Sequence, residues 1–349
     1  MVINSLEVGG AEISLENLCN AISKDVTLQI ITLSGVGLIG TRMRERGYLI
    51  HECELNKSLS SFKNFFKLIL LLRRFKPDVV HTWMYHSNLL GGIAAKLAGI
   101  NKIVWSIHNF NVDKGMIKTS TRILIRISAI FSYLIPKTII CCSQNSLETH
   151  SALFYKNSKL FFLPNGVDDS LFKHSIIGRE QVRKEFQIKE HEIVVGLVGR
   201  YDVQKNQLGF LKALSKNKKI AKRYTYFFVG RGNDSENKSL VEKIYEFELE
   251  DNIKLLGERE DIQHILSAMD IFVLPSLGEA FPISLCEAML CEVPSIATDV
   301  GDINFILDGI LNPIQTNDLD SITSIIHAIA SMPVVERRKI GQKLRDRIV

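Results

Sequence analysis

The strongest constraint on the fold is a rhythm that runs through the chain twice. Short apolar runs rich in Val, Ile and Leu alternate with longer stretches whose apolar residues recur at helical spacing. In the first half the strand-like runs fall at residues 2–4, 26–33, 48–55, 78–81, 102–107, 138–142 and 160–163. Helical patterns separate them at 13–22, 41–46, 62–75, 88–98, 117–134 and 145–154. Residues 171–190 are polar and read as a linker with one short helix; the rhythm then restarts. Strands are expected at 192–199, 225–230, 253–257, 270–276 and 293–298. Helices are expected at 207–218, 239–248 and 262–269, with one or two more within 319–347. Such alternation builds parallel sheets covered by helices on both faces. The expected fold is therefore α/β, with two doubly wound Rossmann-like domains at 1–170 and 191–349. A length of 349 residues also exceeds what one core usually serves. The opening strand is short for a buried parallel strand, so the chain is expected to begin a few residues late and to end before its last helix is complete.

Composition narrows the function classes. The chain is 46% hydrophobic and 23% charged, as in soluble globular proteins. No apolar run reaches the roughly 20 residues of a membrane span, and the N-terminus lacks the basic-then-apolar pattern of a secretory signal. Six cysteines occur, none in a C-x-x-C pair, so reduced thiols in the cytoplasm are expected and a zinc site is not. Charge is uneven. Residues 1–175 hold 20 Lys and Arg against 12 Asp and Glu, a net +8; the remainder holds 23 against 26, a net −3. That asymmetry suggests different partners for the two halves. No nucleic-acid partner is expected.

The most informative stretch runs from Gly278 through Met289. It lies between the strand-like runs 270–276 and 293–298 and so forms a strand-to-helix corner. It carries two carboxylates, Glu279 in the loop and Glu287 inside the helix. Pro282 suits the first helical position, where a missing N–H costs nothing. Amides around Phe281 to Ser284 would then point out of a helix N-terminus, a natural anion site. Two acids beside an anion site suit a phosphorylated ligand that also carries hydroxyls.

Other strand ends supply complementary chemistry, and ligands of open parallel sheets bind at those ends. One expected strand ends at Gly199, just before Arg200 and Lys205, whose fixed positive charge suits a diphosphate. The next ends at Gly230-Arg231, and the third at Gly257-Glu258-Arg259. In the first half, Gly9-Gly10 would let backbone approach a ligand closely, and His108 ends a strand. Gly35-Val36-Gly37-Leu38-Ile39-Gly40 matches G-x-G-x-x-G letter for letter. The following helix pattern is short and this is not the first strand-helix unit. A flexible loop is the preferred reading and a nicotinamide site used for hydride transfer a distant rival.

Together these residues resemble the retaining GT-B glycosyltransferases of family four, enzymes of bacterial polysaccharide and lipopolysaccharide assembly. The resemblance covers nearly the whole chain. It rests on Glu279-x7-Glu287 and is supported by VGGAE at 8–12, HN at 108–109, NGVD at 165–168 and VGRYDVQKN at 198–206. It implies two Rossmann-like domains facing a central cleft: a first, acceptor-side domain and a second that binds the nucleotide-sugar. It also implies transfer of a hexose from a nucleotide-sugar, a UDP-sugar being favoured, to a glycan or lipid-linked acceptor with retention of configuration. Glu279, His108, Arg200 and Lys205 become the catalytic set. Arg200 and Lys205 would hold the donor diphosphate and Glu287 the ribose. Glu279, Ala280, Phe281, Pro282 and Ile283 would serve the donor sugar, and Arg231, Gly257 and Arg259 the base. Gly9 and Gly10 would close over the diphosphate. No metal or other cofactor is implied, because arginine, lysine and a helix N-terminus take the place of a divalent cation. Many relatives have Gly where Ala280 and Pro282 stand. The alternatives are a GT-B nucleotide-sugar epimerase and a non-catalytic sugar-nucleotide-binding protein. The basic, apolar segments 62–76 and 117–137 suit either peripheral contact with an anionic membrane or core-packed helices with a solvated basic face.

Overall fold

A computed structural model describes residues 1–22, 25–55, 61–109 and 118–349. The described chain divides into two units, Met1–Gly166 and Val167–Val349. The strands of the first unit are β1 (Val2–Ser5), β2 (Gln29–Gly35), β3 (Leu49–Glu52), β4 (Val80–Trp83), β5 (Ile103–Ile107), β6 (Thr138–Cys141) and β7 (Leu160–Phe162). They form one parallel sheet in the order β3-β2-β1-β4-β5-β6-β7. Side chains alternate across it, so Val2 enters one apolar cluster with Trp105 and Ile139, and Ile3 enters another with Leu6, Leu15 and Trp83. Both faces are thus buried, as a parallel sheet requires. The strand order reverses direction between β1 and β4, which makes that edge a topological switch point.

The G-x-G-x-x-G stretch is not the loop expected. Strand β2 runs to Gly35 and helix Gly37–Glu45 begins almost at once. Gly37 sits at φ 65°, and a Cβ there would lie 2.5 Å from the backbone of Leu6 and Glu7. The amides of Ile39 and Gly40 donate to the Leu6 carbonyl at 3.0 and 3.3 Å. These glycines therefore let one turn pack on another, and amides that could have cradled a phosphate are already used. The same helix is tied to Gly10–Ala21 by charge: Arg42 and Arg46 both donate to the buried carboxylate of Glu16.

The second unit holds β8 (Val194–Val198), β9 (Thr225–Val229), β10 (Ile253–Gly257), β11 (Ile271–Leu274) and β12 (Ser295–Ala297). These form a parallel sheet in the order β10-β9-β8-β11-β12, with its switch point between β8 and β11. Phe227 and Phe228 point to opposite clusters, so this sheet too is covered on both faces.

Residues 171–190, expected as a linker with one short helix, contain that helix at Ile176–Glu185, and it packs on helix Ile262–Ala268. Its Arg183 is only 3% exposed and donates to the Ala268 carbonyl at 2.9 Å and to Asp270 at 3.3 Å. Arg179 reaches the other oxygen of Asp270 at 3.1 Å, and the Val194 amide, at the start of β8, donates to Asp270 at 2.8 Å. Buried arginines, invisible in a polar composition, attach this segment to the second unit. The last helix, Val334–Ile348, packs on helix Ile283–Leu290. Among the described residues no helix is long and apolar enough to cross a membrane.

Candidate functional site

The carboxyl ends of β8 and β11 flank the switch point of the second sheet, and the loops leaving them are bound to each other. The Leu277 amide donates to the Gln204 carbonyl at 2.7 Å, and the Asn206 side chain donates to the Pro275 carbonyl at 3.1 Å. Asn206 adopts the left-handed conformation at φ 58°, which turns the chain into helix Gln207–Lys216. Gln207 is buried and braces the loop from inside, donating to the Arg200 carbonyl at 2.8 Å and accepting from the Asp202 amide at 3.3 Å.

This bracing brings Lys205 and Glu279 together. The Lys205 ammonium lies 2.6 Å from Oε1 of Glu279, and the Ser276 hydroxyl donates to that same oxygen at 2.6 Å. The Glu279 residue is 9% exposed. Its backbone is pinned by Gly301 (φ 57°), where a Cβ would fall 2.0 Å from the Glu279 carbonyl oxygen. Arg200, at the start of the same loop as Lys205, is half-exposed, with Asp202 accepting from its Nε at 3.1 Å.

Pro282 differs from the expected first helical position. Its ψ of 100° is extended, so it is the N-cap residue and helix Ile283–Leu290 begins one residue later. Its carbonyl accepts from Leu285 at 3.2 Å and Cys286 at 3.4 Å. The amides of Ile283 and Ser284 find no acceptor among the described residues, which leaves two donors open at this helix N-terminus. One turn further in, the Glu287 carboxylate is buried and accepts no hydrogen bond among the described residues. Burial pushes its pKa up to about 7.

The remaining residues expected on the donor side fall into two groups. Gly257 (φ 62°) ends β10, and its carbonyl accepts from the Gly230 amide at 2.6 Å. This draws the loops after β9 and β10 together, with the Arg231 side chain exposed nearby. Arg259, by contrast, is engaged by carboxylates: it binds Glu185 at 2.6 Å and Asp261 at 2.8 Å.

In the first unit, Gly9 is the N-cap of helix Gly10–Ala21, at the carboxyl end of β1. His108 follows β5 and stacks on Trp83 at 4.7 Å between ring centroids. Both His108 ring nitrogens are shielded from solvent without hydrogen-bond geometry to any described residue. Burial lowers the His108 pKa to about 4, against a weaker pull from the nearby Asn165 side chain, so the ring is neutral at pH 7. Ser276, Gln207, Gly301 and Trp83 were not singled out from the sequence. Only Gly301 had a local signal, lying in the same motif as the two acids.

Known proteins resemble this chain along most of its length. Residues 8–171 match the sequence model described as Glycosyltransferase Family 4, and residues 178–307 match Glycosyl transferases group 1. A UDP-Gal:alpha-D-GlcNAc-diphosphoundecaprenol alpha-1,3-galactosyltransferase of Escherichia coli is 30% identical over 85% of this chain and 77% of its own. The chain belongs to glycosyltransferase family 4. A second relative of the family is the N,N'-diacetylbacillosaminyl-diphospho-undecaprenol alpha-1,3-N-acetylgalactosaminyltransferase of Campylobacter jejuni. It is 29% identical over 74% of this chain and 69% of its own. The family fold is equally clear. HepE of Anabaena, solved in complex with UDP and glucose, has a TM-score of 0.84 at 20% identity over 99% of this chain and 93% of that one. The protein is a GT-B glycosyltransferase of hexosyltransferase type, built from two Rossmann-like α/β domains. Among the described residues no group of three His, Cys, Asp or Glu side chains is placed to hold a metal ion.

Proposed function

We propose that this glycosyltransferase moves a hexose from a UDP-sugar to a lipid-linked saccharide in cell-surface polysaccharide assembly, with retention of anomeric configuration. The observation that carries the reading is the Lys205–Glu279 pair at the switch point of the second sheet, where a cation and a carboxylate meet at 2.6 Å. In this reading Lys205, Arg200 and the amides of Ile283 and Ser284 bind the diphosphate. Glu279 and the backbone of Ala280 to Ile283 bind the sugar. Glu287 accepts hydrogen bonds from the ribose hydroxyls, which supply the partners its buried carboxylate lacks. The base lies against the Gly257 loop beside Arg231, while Arg259 serves the site indirectly by holding helix Ile176–Glu185. The first unit serves the acceptor, and Gly9, Gly10 and the neutral His108 are the residues it offers to the reaction.

The acceptor oxygen attacks the anomeric carbon on the face from which UDP leaves. The bond from that carbon to the phosphate oxygen breaks, and the acceptor proton passes to the departing phosphate. The cationic groups offset the charge that develops there, so the reaction is read as independent of metal. UDP as donor nucleotide and an undecaprenyl-linked acceptor are supported by the relatives' names. In this reading the enzyme works at the inner face of the cytoplasmic membrane, a location that the basic, apolar helices of the first unit support. The reading is tested by a thermal-shift screen of UDP-, GDP-, ADP- and dTDP-sugars, followed by NMR of the product anomer. Stabilisation by UDP-hexoses and a retained configuration are expected; selective binding of another nucleotide, or inversion, sinks it.

A further inference from the structure

The Glu279 carboxylate is used asymmetrically. Oε1 accepts from both Lys205 and Ser276 at 2.6 Å, while Oε2 accepts from no described residue and is not sealed from solvent. One oxygen is held by the protein and the other is left for a ligand. Two donors converging on one oxygen stop the carboxylate from rotating about its terminal bond, which is otherwise a soft torsion. Lys205 alone cannot do this, because an ammonium is a compact point charge on a flexible stem. Ser276 can. It is fully buried, and Thr298 at the end of β12 fixes its backbone by donating to its carbonyl at 2.5 Å.

We propose that Ser276 is a positioning residue: its hydroxyl fixes the Glu279 carboxylate so that Oε2 faces a hydroxyl of the transferred sugar. This rests on the reading of Glu279 as the residue at the sugar. Ser276 touches neither sugar nor nucleotide. It acts by sparing the carboxylate a reorientation at the moment of reaction, so its effect belongs to turnover and not to nucleotide binding.

The test compares Ser276→Ala with the wild type, using the UDP-hexose that supports turnover. Loss of one hydrogen bond to a charged group predicts a fall in kcat of about tenfold. The affinity for UDP by calorimetry should change less than about twofold, because UDP lacks the transferred hexose, and the donor KM should likewise change less than about twofold. A general packing defect would instead lower the melting temperature and the UDP affinity together. In a Glu279→Ala background, Ser276→Ala should cost nothing further, since no carboxylate remains to be oriented. Wild-type kcat in Ser276→Ala, or a full tenfold loss added to that of Glu279→Ala, overturns the proposal. Wild-type turnover in Glu279→Ala alone would instead overturn the underlying assignment of Glu279.

Discussion

Glu279 and Glu287 belong to one motif yet have opposite surroundings. Glu279 is neutralised by Lys205, whereas Glu287 is buried without a partner and its pKa is raised to about 7. A raised carboxyl pKa means that the folded protein holds the proton more tightly than the unfolded chain. The stability tied to protonation is thus fully present below the unfolded value of 4.5 and is lost as pH rises through 7. Wild type should lose up to about 3 kcal/mol relative to Glu287→Gln between pH 4.5 and 8, measured by urea unfolding. Parallel stability curves would show that the site is better solvated than its burial implies. UDP binding should also strengthen as pH rises through 7, as the ionised carboxylate becomes the better acceptor for the ribose, and Glu287→Gln should flatten that dependence. Lys205→Ala should slow turnover by roughly 10²–10³, the usual cost of removing one preorganised charge from a developing anion; near-normal rates would remove Lys205 from the diphosphate. The two acids and Lys205 were legible in the sequence because each sits at a fixed offset from a strand end. Gly301 lies in the same motif, but its role appears only when that later turn folds back onto the Glu279 carbonyl, and Ser276, though close to Glu279 in the chain, carries no signal of its own until the carboxylate and Thr298 are placed around it.

At the scale of elements, nearly every expected strand and helix exists, with ends shifted by a few residues. The exceptions share a cause: chemistry read from local composition was decided by tertiary contact. The glycines of 35–40 look like a ligand turn until Leu6 is placed against them. The expected start of the helix at 117 lies outside the described residues; helix Thr119–Ser132 follows. Residues 171–190 look solvated until Asp270 is set between Arg179 and Arg183. Removing one partner of a buried ion pair typically costs 3–5 kcal/mol. Arg183→Ala should therefore lower the unfolding free energy by about 3 kcal/mol, read from the urea midpoint at constant slope. A change within about 0.5 kcal/mol would mean that the helix behaves as a solvated tether.

For the whole molecule, the uneven charge of the two halves acquires a structural counterpart. Helices Ser61–Phe75 and Thr119–Ser132 of the basic first unit both pack against helix Met84–Leu97. Each also turns an apolar stripe to solvent. Phe62, Phe66 and Leu70 are 75%, 54% and 63% exposed, and Ile123, Ile127 and Ile130 are 54%, 38% and 68% exposed. These residues recur at helical spacing, so core packing does not account for them. Arg122 and Arg126 make no ion pair among the described residues and lie on the second of these helices. Apolar side chains bordered by unpaired cations match an anionic bilayer surface, where each basic residue contributes about 1 kcal/mol and each inserted aromatic or leucine adds apolar burial. The protein should therefore co-sediment with phosphatidylglycerol vesicles and much less with phosphatidylcholine, and should dissociate at high salt. Replacing Phe62, Phe66 and Leu70 together by Ser should weaken vesicle binding at least tenfold while leaving UDP affinity unchanged, because these residues lie in the first unit and the loops proposed to bind the diphosphate lie in the second. Equal binding to neutral and anionic vesicles, or a triple variant that still sediments fully, would mean that these stripes meet something other than an anionic membrane.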